Sequence, residues 1–439
     1  MKRYKITILL LIVTGSLNYA QINWNGYLLL DNRMRVTDLN YSCEELRLAL
    51  SSEYQPTDRL KFLSEFWLRT SDPLASNSRD LTSVSKILPV KLVLREAYFN
   101  LRSFPLENFD LSIGKQLIPW GVATRFSPTD NLNPMYLEDI WDFSSRLAVT
   151  SLKVSYYHQI FLLQGVYMPY FTPAVLPKIK TTRLENLPTM FNYRNISDTL
   201  IMPEHKPQET QSFGMRVKTT IFNYDLAISY LNGRYDIPFP KRMVFSPASS
   251  PGEVDLKTEL YFPKRHIFGC ELTGTVKNCG IWAEAAMYLP EKINLTSDLT
   301  QLGLGTFDSI ILNNTPYFLY VLGLDYTFTS GLYLNYEYFH GFLSEHGKDN
   351  LNNYMAFTIE YKTLNEKLKI YPLNTILTVN NWRSIKDSYG LVLMPEVSYY
   401  PITDLEFTLG YRFIYSKANA AFKHLSNQDE VYLKFKYNF

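Results

Sequence analysis

Residues 119–147 form a predicted loop that carries six charged side chains, residue types that could do chemistry. Two of these side chains are basic and four are acidic. Such a mixture supports sorting of a passing solute by size and charge rather than bond making. We take six of these residues as candidates for lining a constriction: Arg125, Asp130, Glu138, Asp139, Asp142 and Arg146.

The histidines give no recognisable catalytic or metal motif. All six lack H-x-x-x-H and H-E-x-x-H spacing, and no G-x-S-x-G occurs. His340 and His346 flank a predicted strand end and its loop, which is weak spacing for a metal site. Spacing alone leaves open the Ser/His or Asp/His sites of barrel enzymes, but those barrels have fewer strands than this sequence predicts. We predict no enzymatic activity, no metal and no cofactor.

The strands that would position the constriction are predicted from apolar and polar residues that alternate with a period of two. The last nine residues alternate between an apolar set and a polar or amphipathic set, as in a strand with lipid on one face and water on the other. The alternative is the last strand of a soluble sandwich. The apolar set is Val431, Leu433, Phe435, Tyr437 and Phe439, and the other set includes Lys434 and Lys436.

Both ends of the chain point to export. The terminal segment resembles the closing strand of bacterial outer-membrane β-barrels, which the insertion machinery of that membrane recognises. Residues 1–20 have Lys2, Arg3 and Lys5 before a short apolar run and end in Ala20, as in a signal peptide. We therefore predict a signal peptide, 1–20, and one domain, 21–439, in the outer membrane.

Eighteen alternating segments predict an all-β, antiparallel, up-and-down transmembrane barrel without a plug domain, sixteen strands being the alternative count. Short links alternate with long ones along the chain, as periplasmic turns alternate with extracellular loops. A soluble sandwich has no reason to segregate its links in this way. The segments are 23–33, 43–54, 59–70, 90–102, 109–118, 148–157, 159–168, 211–222, 224–232, 265–276, 279–289, 317–328, 331–340, 353–363, 368–380, 388–400, 403–415 and 429–439.

Composition agrees with a barrel and limits the partners. Aromatic residues make up 15% of the chain, which suits strands and aromatic girdles. The formal net charge of +2 gives no hint of a nucleic-acid partner. Cys43, Cys270 and Cys279 are expected to be free thiols. The predicted partners are outer-membrane lipid, the insertion machinery and an unidentified small solute, and the sequence leaves open a homotrimer.

Three motifs lie close together between Leu94 and Pro134: Leu-Arg-Glu-Ala-Tyr-Phe-Asn-Leu, then Gly-Lys-Gln-Leu-Ile-Pro-Trp-Gly, then Pro-Thr-Asp-Asn-Leu-Asn-Pro. Together they resemble a family of uncharacterised porin-like outer-membrane proteins with R-E-A-Y, G-[RK]-Q-x-x-x-W-G and P-T-D-x-x-N-P motifs. The match covers about a tenth of the chain. This resemblance implies a barrel and a channel, and it implies no catalytic residues.

The same stretch supplies wall and loop candidates. Glu96 and Tyr98 are predicted to face the lumen, and Lys115 and Gln116 to line the pore where their strand ends. Arg95 would then point to lipid unless a bulge turns it inward. Trp120 is expected in the outer aromatic girdle or at the loop base, and Asp130 could bond its own backbone. The residues expected to shape the loop are Gly114, Pro119, Trp120, Gly121, Pro128, Asn133 and Pro134.

These observations predict a porin-like channel for passive diffusion of small solutes, with a lumen narrowed by loop 119–147. The alternative for the loop itself is packing over the rim. Two other functions stay open: a barrel for surface ligand binding or polysaccharide export, and a transporter of hydrophobic compounds. Other charged residues predicted to face the lumen include Arg47, Arg216, Glu284, Glu337, Glu360, Glu406 and Arg412.

Overall fold

The computed structural model describes residues 22–71, 90–177, 191–250, 252–342, 344–417, 420–426 and 428–439. In this part of the chain, twenty-four strands, β1 to β24 in chain order, lie in two sheets. The predicted signal peptide and residues 72–89 of the predicted link after β3 lie outside the described residues.

The larger sheet closes on itself. β1 pairs antiparallel with β24, from Tyr27 opposite Asn438 to Arg35 opposite Glu430, so the first and last strands complete a barrel. Its strands are β1 Asn23–Arg35, β2 Tyr41–Thr57, β3 Leu60–Ser71, β4 Val90–Leu101, β5 Phe109–Gln116, β6 Val149–His158, β7 Phe161–Met168, β9 Ser212–Ile221, β10 Tyr224–Arg234, β13 Lys264–Val276, β14 Cys279–Pro290, β17 Tyr317–Thr327, β18 Leu332–His340, β19 Asn353–Thr363, β20 Leu368–Val379, β21 Tyr389–Leu393, β22 Glu396–Ile402, β23 Leu405–Ser416 and β24 Glu430–Asn438.

These nineteen strands span the barrel eighteen times, because β21 and β22 are two parts of one spanning strand. Both parts pair with β20 on one side and with β23 on the other. The sequence predicted one continuous strand over 388–400. The break falls at Met394 and Pro395, where proline has no N–H to give to the ladder. The predicted eighteen-strand antiparallel barrel is otherwise confirmed.

The last strand pairs and faces as predicted. β24 lies between β1 and β23, with Lys434 opposite Asp31 and Thr408. Leu433 and Tyr437 are exposed on the outer face. Lys434 and Lys436 point inward, where they approach the rings of Tyr432 at 5.0 Å and Tyr27 at 4.9 Å.

The outer surface of the barrel is apolar over many strands. Leu92, Ile228 and Leu409 are 71%, 64% and 57% exposed, and similar side chains recur around the ring. A soluble protein rarely shows so much contiguous apolar surface. This surface therefore suits contact with lipid rather than water.

A β-bulge in β4 settles the direction of Arg95. Glu65 on β3 is opposite Glu96, but the next residue, Phe66, is opposite Leu94, so Arg95 is the extra residue. Its side chain is buried and lies over the ring of Trp67 at 4.2 Å. Because the bulge re-aims one side chain, Arg95 and Glu96 both point inward.

The two ends of the barrel differ. At the end where β1 begins and β24 ends, hereafter the turn end, neighbouring strands join through short turns, for example at 159–160, 222–223 and 277–278. At the opposite loop end, three long connections contribute a second sheet, hereafter the surface sheet. Its strands, in the order β16-β15-β11-β12-β8, are β8 Asn192–Ile201, β11 Phe239–Pro247, β12 Glu253–Tyr261, β15 Ile293–Asp298 and β16 Thr306–Leu312.

The surface sheet corrects the sequence prediction, which treated 169–210, 233–264 and 290–316 as loops. Two of its four pairings are parallel, β8 with β12 and β11 with β15, and each joins strands from different connections. Helical segments are few among the described residues: an α-helix, Pro207–Thr210, and short 3-10 helices at Thr300–Leu302, Trp382–Asp387 and Lys423–Leu425. None of the described helices has the length and hydropathy needed to cross a membrane.

Candidate site in the barrel lumen

The connection between β5 and β6 turns into the barrel rather than out over the rim. Residues 119–147, hereafter the lumen loop, contact inward-facing residues of β14, β18, β19 and β20 on one side of the ring. They contact β1 and β3 on the other side. The lumen loop therefore crosses the interior.

Asn133 joins the two ends of this loop. Its Oδ1 accepts a hydrogen bond from the Ile118 N–H at 2.8 Å, and its Nδ2 donates to the Leu147 carbonyl at 2.9 Å. The Leu147 N–H also donates to the Pro134 carbonyl at 2.8 Å. The loop thus leaves and re-enters the wall at one point, which explains the Asn-Pro pair at this position.

Two predicted wall residues support the loop base. Glu96 Oε1 accepts from the Leu117 N–H at 2.6 Å. Gln116 is buried, and its Nε2 donates to the Ser151 carbonyl at 3.2 Å. Tyr98 lies two residues beyond Glu96, on the same face of β4. At Gly114, opposite Tyr98, φ is +134°, and a Cβ would approach Tyr98 Cα to 2.7 Å.

Lys115 differs from its prediction. It lies between two inward-facing residues, Gly114 and Gln116, and strand alternation therefore turns it to the outer face. There its Nζ donates to the Leu94 carbonyl at 2.6 Å, next to the bulge in β4. Lys115 does not line the interior.

Glu284, on β14, binds the first arm of the lumen loop, residues 121–129. Oε1 accepts from the backbone N–H groups of Val122 and Ala123, the latter at 2.5 Å. Oε2 accepts from Ser127 Oγ at 2.6 Å and from Thr129 Oγ1 at 2.7 Å. Glu284 is 2% exposed, so these bonds replace the water that a buried carboxylate would lose.

Gly121 lets the first arm approach this carboxylate. Its φ is +95°, and a Cβ there would collide with Ser127 Oγ and lie 3.0 Å from Glu284 Oε1. A larger residue would meet both backbone strain and a clash.

Further contacts extend this attachment across neighbouring strands. Glu337 on β18 accepts from the Thr124 N–H at 2.8 Å and from Trp282 Nε1 at 2.9 Å. Arg125 Nη2 donates to Thr358 Oγ1 at 2.7 Å and to Asn374 Oδ1 at 2.5 Å. All of these partners project from the wall into the barrel.

An apolar cluster fills the space between this side of the loop and the wall. Trp120 is 3% exposed and lies against Gly214 inside the barrel, so it does not belong to the outer aromatic girdle. The loop contributes Trp120, Phe126, Leu132 and Phe143, and the wall contributes Leu231, Ile267, Val321, Phe339 and Ile376 among others.

The second arm, residues 135–146, faces a different environment. Asp139 forms an ion pair with Arg33 of β1 at 2.7 Å, and Glu138 forms one with Arg69 of β3 at 2.7 Å. Burial alone would raise the pKa of Asp139, but the hydrogen bond and charge of Arg33 lower this pKa to about 2. The two acidic side chains remain 33% and 23% exposed.

These pairs border a cavity of about 630 Å³ between the second arm and the wall. Its lining is mixed in charge and includes Asp31, Arg33, Arg47, Arg69, Glu138, Asp139, Asp142, Glu430 and Lys434. Aromatic rings lie among the cations, with Trp67 between Arg47 at 4.0 Å and Arg95 at 4.2 Å. The cavity is wide and polar enough to hold water and a small polar solute.

Two predicted lining residues serve the loop itself. Arg146 is buried, with its Nη1 donating to the Phe143 carbonyl at 2.8 Å and its Nε 3.4 Å from Asp130 Oδ2. Asp130 Oδ1 accepts from the Trp120 N–H at 3.4 Å, rather than from its own turn. The turn is closed instead by Ser127 Oγ, which accepts from the Asp130 N–H at 3.1 Å. Pro128 contributes its carbonyl, which accepts from Tyr288 Oη at 3.1 Å.

The surface sheet is connected to the second arm. Asp236, which lies between β10 and β11, accepts through Oδ2 from the Met135 N–H at 2.9 Å. Val175, from the connection that carries β8, donates its N–H to the Met135 carbonyl at 3.0 Å and accepts from the Leu137 N–H at 2.8 Å. The second arm is therefore attached to two surface connections as well as to the wall.

Arg33 and Arg69 were missed as candidates, although both follow the period of two in their strands. Glu284 and Glu337 were predicted to face the lumen, but nothing in the sequence indicated that they bind the loop. In the described part of the chain, no three His, Cys, Asp or Glu side chains come together as a metal site would require. Cys43, Cys270 and Cys279 are free, as predicted.

Comparisons with known proteins give similar solved structures but no sequence match. No family model matches the sequence, and no curated protein matches it. Among solved structures, Salmonella typhi OmpF in complex with daunomycin is similar over 95% of this chain and 97% of that one, with 10% identity and a TM-score of 0.42. A loop L8 deletion mutant of OmpT, an outer membrane protein of Vibrio cholerae, is similar over 95% and 99%, with 10% identity and a TM-score of 0.43.

Proposed function

We propose that this protein is a porin-like channel of a bacterial outer membrane, through which small polar solutes diffuse passively. The observation that carries the proposal is the charged cavity of about 630 Å³ beside the lumen loop, inside a closed barrel with an apolar outer surface. A charged cavity inside a barrel with an apolar outer surface is the arrangement that a water-filled pore requires.

The lining of the cavity favours small polar solutes without strong charge preference. Arginines of β1 and β3 lie opposite carboxylates of the second arm, and many of these charges already pair with one another. A solute would exchange hydrogen bonds with both signs of charge along its path. The route would run between the second arm and the wall, since the first arm is packed against β14 and β18.

A liposome-swelling assay tests this proposal. Proteoliposomes containing the folded barrel should swell in neutral sugars, at rates that fall as solute size increases. Liposomes with heat-denatured protein provide the baseline. A folded barrel that gives no swelling above that baseline, even with the smallest sugar, would contradict the channel.

A second candidate function is ligand binding at the cell surface, favoured by the surface sheet at the loop end. That sheet gathers strands from three separate connections and has exposed apolar residues such as Phe307 and Leu200. On this alternative, replacing 291–316 by a short turn would abolish retention on immobilised polysaccharide while the barrel stays folded. If the protein is only a channel, the wild type should not be retained on immobilised polysaccharide.

A further inference from the structure

The lumen loop is held in two different ways on its two sides. The first arm is attached by backbone and hydroxyl donors to Glu284, which is 2% exposed. The second arm is attached to β1 and β3 by ion pairs of Asp139 and Glu138, which are 33% and 23% exposed beside the cavity. We call the buried attachment of the first arm the dry attachment, and the partly exposed ion pairs of the second arm the wet attachment.

The chemistry of the dry attachment centres on a single carboxylate. Both oxygens of Glu284 are occupied, and the donors come from four residues of the same arm: Val122, Ala123, Ser127 and Thr129. Hydrogen bonds to a charged acceptor are stronger than neutral ones, and loss of a shared acceptor leaves every donor buried without a partner.

The wet attachment is exposed to water and salt, which weaken ion pairs. Displacement of the second arm would enlarge the cavity directly, since Asp139 and Glu138 are part of its lining. Displacement of the first arm would remove Phe126 from the apolar cluster, to which the second arm contributes Phe143.

We propose that Glu284 is the positioning residue that sets the width of the passage. It fixes the first arm against β14 and so leaves the cavity between the second arm and the wall of β1 and β3 open. This inference rests on the proposed channel function, although its structural part can be tested without it.

The test compares Glu284→Ala, Glu284→Gln and a control, Glu360→Ala. Glutamine retains one oxygen for Val122 and Ala123, and its amide can donate to hydroxyls that then act as acceptors. Glu360 also points inward, but it pairs with Lys362 at 3.6 Å near the turn end. Each folded variant is examined by limited proteolysis with mass-spectrometric mapping and by single-channel recording.

We expect Glu284→Ala to expose cleavage sites within 119–147 and to change the conductance by about two-fold or more, because the released first arm alters the width of the passage. Glu284→Gln should stay close to the wild type, and Glu360→Ala should leave cleavage within 119–147 unchanged. If Glu284→Ala does not fold, the double variant S127A/T129V removes two donors from the opposite side of the same attachment and should give the same changes.

The outcomes separate the two proposals. A folded Glu284→Ala barrel with wild-type proteolysis and wild-type conductance would overturn the positioning role. Loop cleavage in Glu284→Ala with no conductance in any variant, wild type included, would support the attachment and contradict the channel. Conductance steps in the wild type that this substitution leaves unchanged would contradict the inference and leave the channel intact.

Discussion

Asp130 carries a charge in an unfavourable place. Its side chain is only 12% exposed, and Arg146 Nε lies 3.4 Å from its Oδ2. Burial raises the pKa of Asp130 to about 6, and the carboxylates of Glu284 and Glu271 raise it further, while Arg146 opposes the shift. The loop therefore packs best when this carboxyl is protonated.

The sign of this shift predicts how stability depends on pH. Because the pKa of Asp130 is higher in the folded protein than its ordinary value of 3.8, its contribution to stability is complete below about pH 4 and is lost as the pH rises through about 6. Each pKa unit corresponds to about 1.4 kcal/mol, so a rise from 3.8 to about 6 makes the loss on the order of 3 kcal/mol.

Asp130→Asn should remove this dependence. The melting temperature, read from the heat-modifiable shift on a gel, should fall between pH 4 and pH 7 more steeply in the wild type than in the variant. Identical slopes in the two proteins would mean that Asp130 does not titrate in this range.

The second arm of the lumen loop is the element that borders the cavity. Its ion pairs, Asp139 with Arg33 and Glu138 with Arg69, are partly exposed and so are screened by salt. At low salt they hold the arm against β1 and β3, and at high salt this attachment weakens.

The double variant Glu138→Gln/Asp139→Asn should therefore open the passage. At about 0.1 M salt we expect the variant to have a larger conductance than the wild type. The difference should disappear as salt approaches about 1 M, where the Debye length is about 3 Å. Asp142→Asn is the matched control, because it also removes a charge that borders the cavity. The Asp142 carboxylate accepts a hydrogen bond from Ser144 Oγ within the loop. An equal effect of the control would indicate a change in local charge rather than a released arm.

Sequence alone could predict the wall but not the contacts across it. Alternation marks each strand because lipid and water lie on opposite faces, and this sets the register of β24 against β1 and β23. The same rule excludes Lys115 from the lumen once Gly114 and Gln116 point inward. The surface sheet was not predicted because its parallel pairs join distant connections, and Glu284 became an attachment site only through folding of the loop.

At the scale of the whole molecule, the surface sheet and the lumen loop form one connected unit. Asp236 and Val175 hold Met135 and Leu137 at the start of the second arm. The position of Glu138 and Asp139 over the cavity therefore depends on connections that carry β8 and β11.

Asp236→Ala should loosen the second arm although residue 236 lies outside the barrel strands. The Met135 N–H would lose its acceptor, so cleavage at 135–146 and noise in the open-channel current should both increase. Asp236→Asn keeps an oxygen for this N–H and should behave like the wild type. If both variants resemble the wild type, the hydrogen bond from Met135 to Asp236 does not hold the arm.

The central claim is that the barrel encloses a water-filled passage beside the lumen loop. The most direct measurement is the single-channel current of the purified, heat-modifiable protein in a planar bilayer. The account predicts discrete, ohmic steps that become larger in Glu138→Gln/Asp139→Asn. A folded barrel that shows no steps across a wide range of voltage and salt, in the wild type and in this variant, would contradict it.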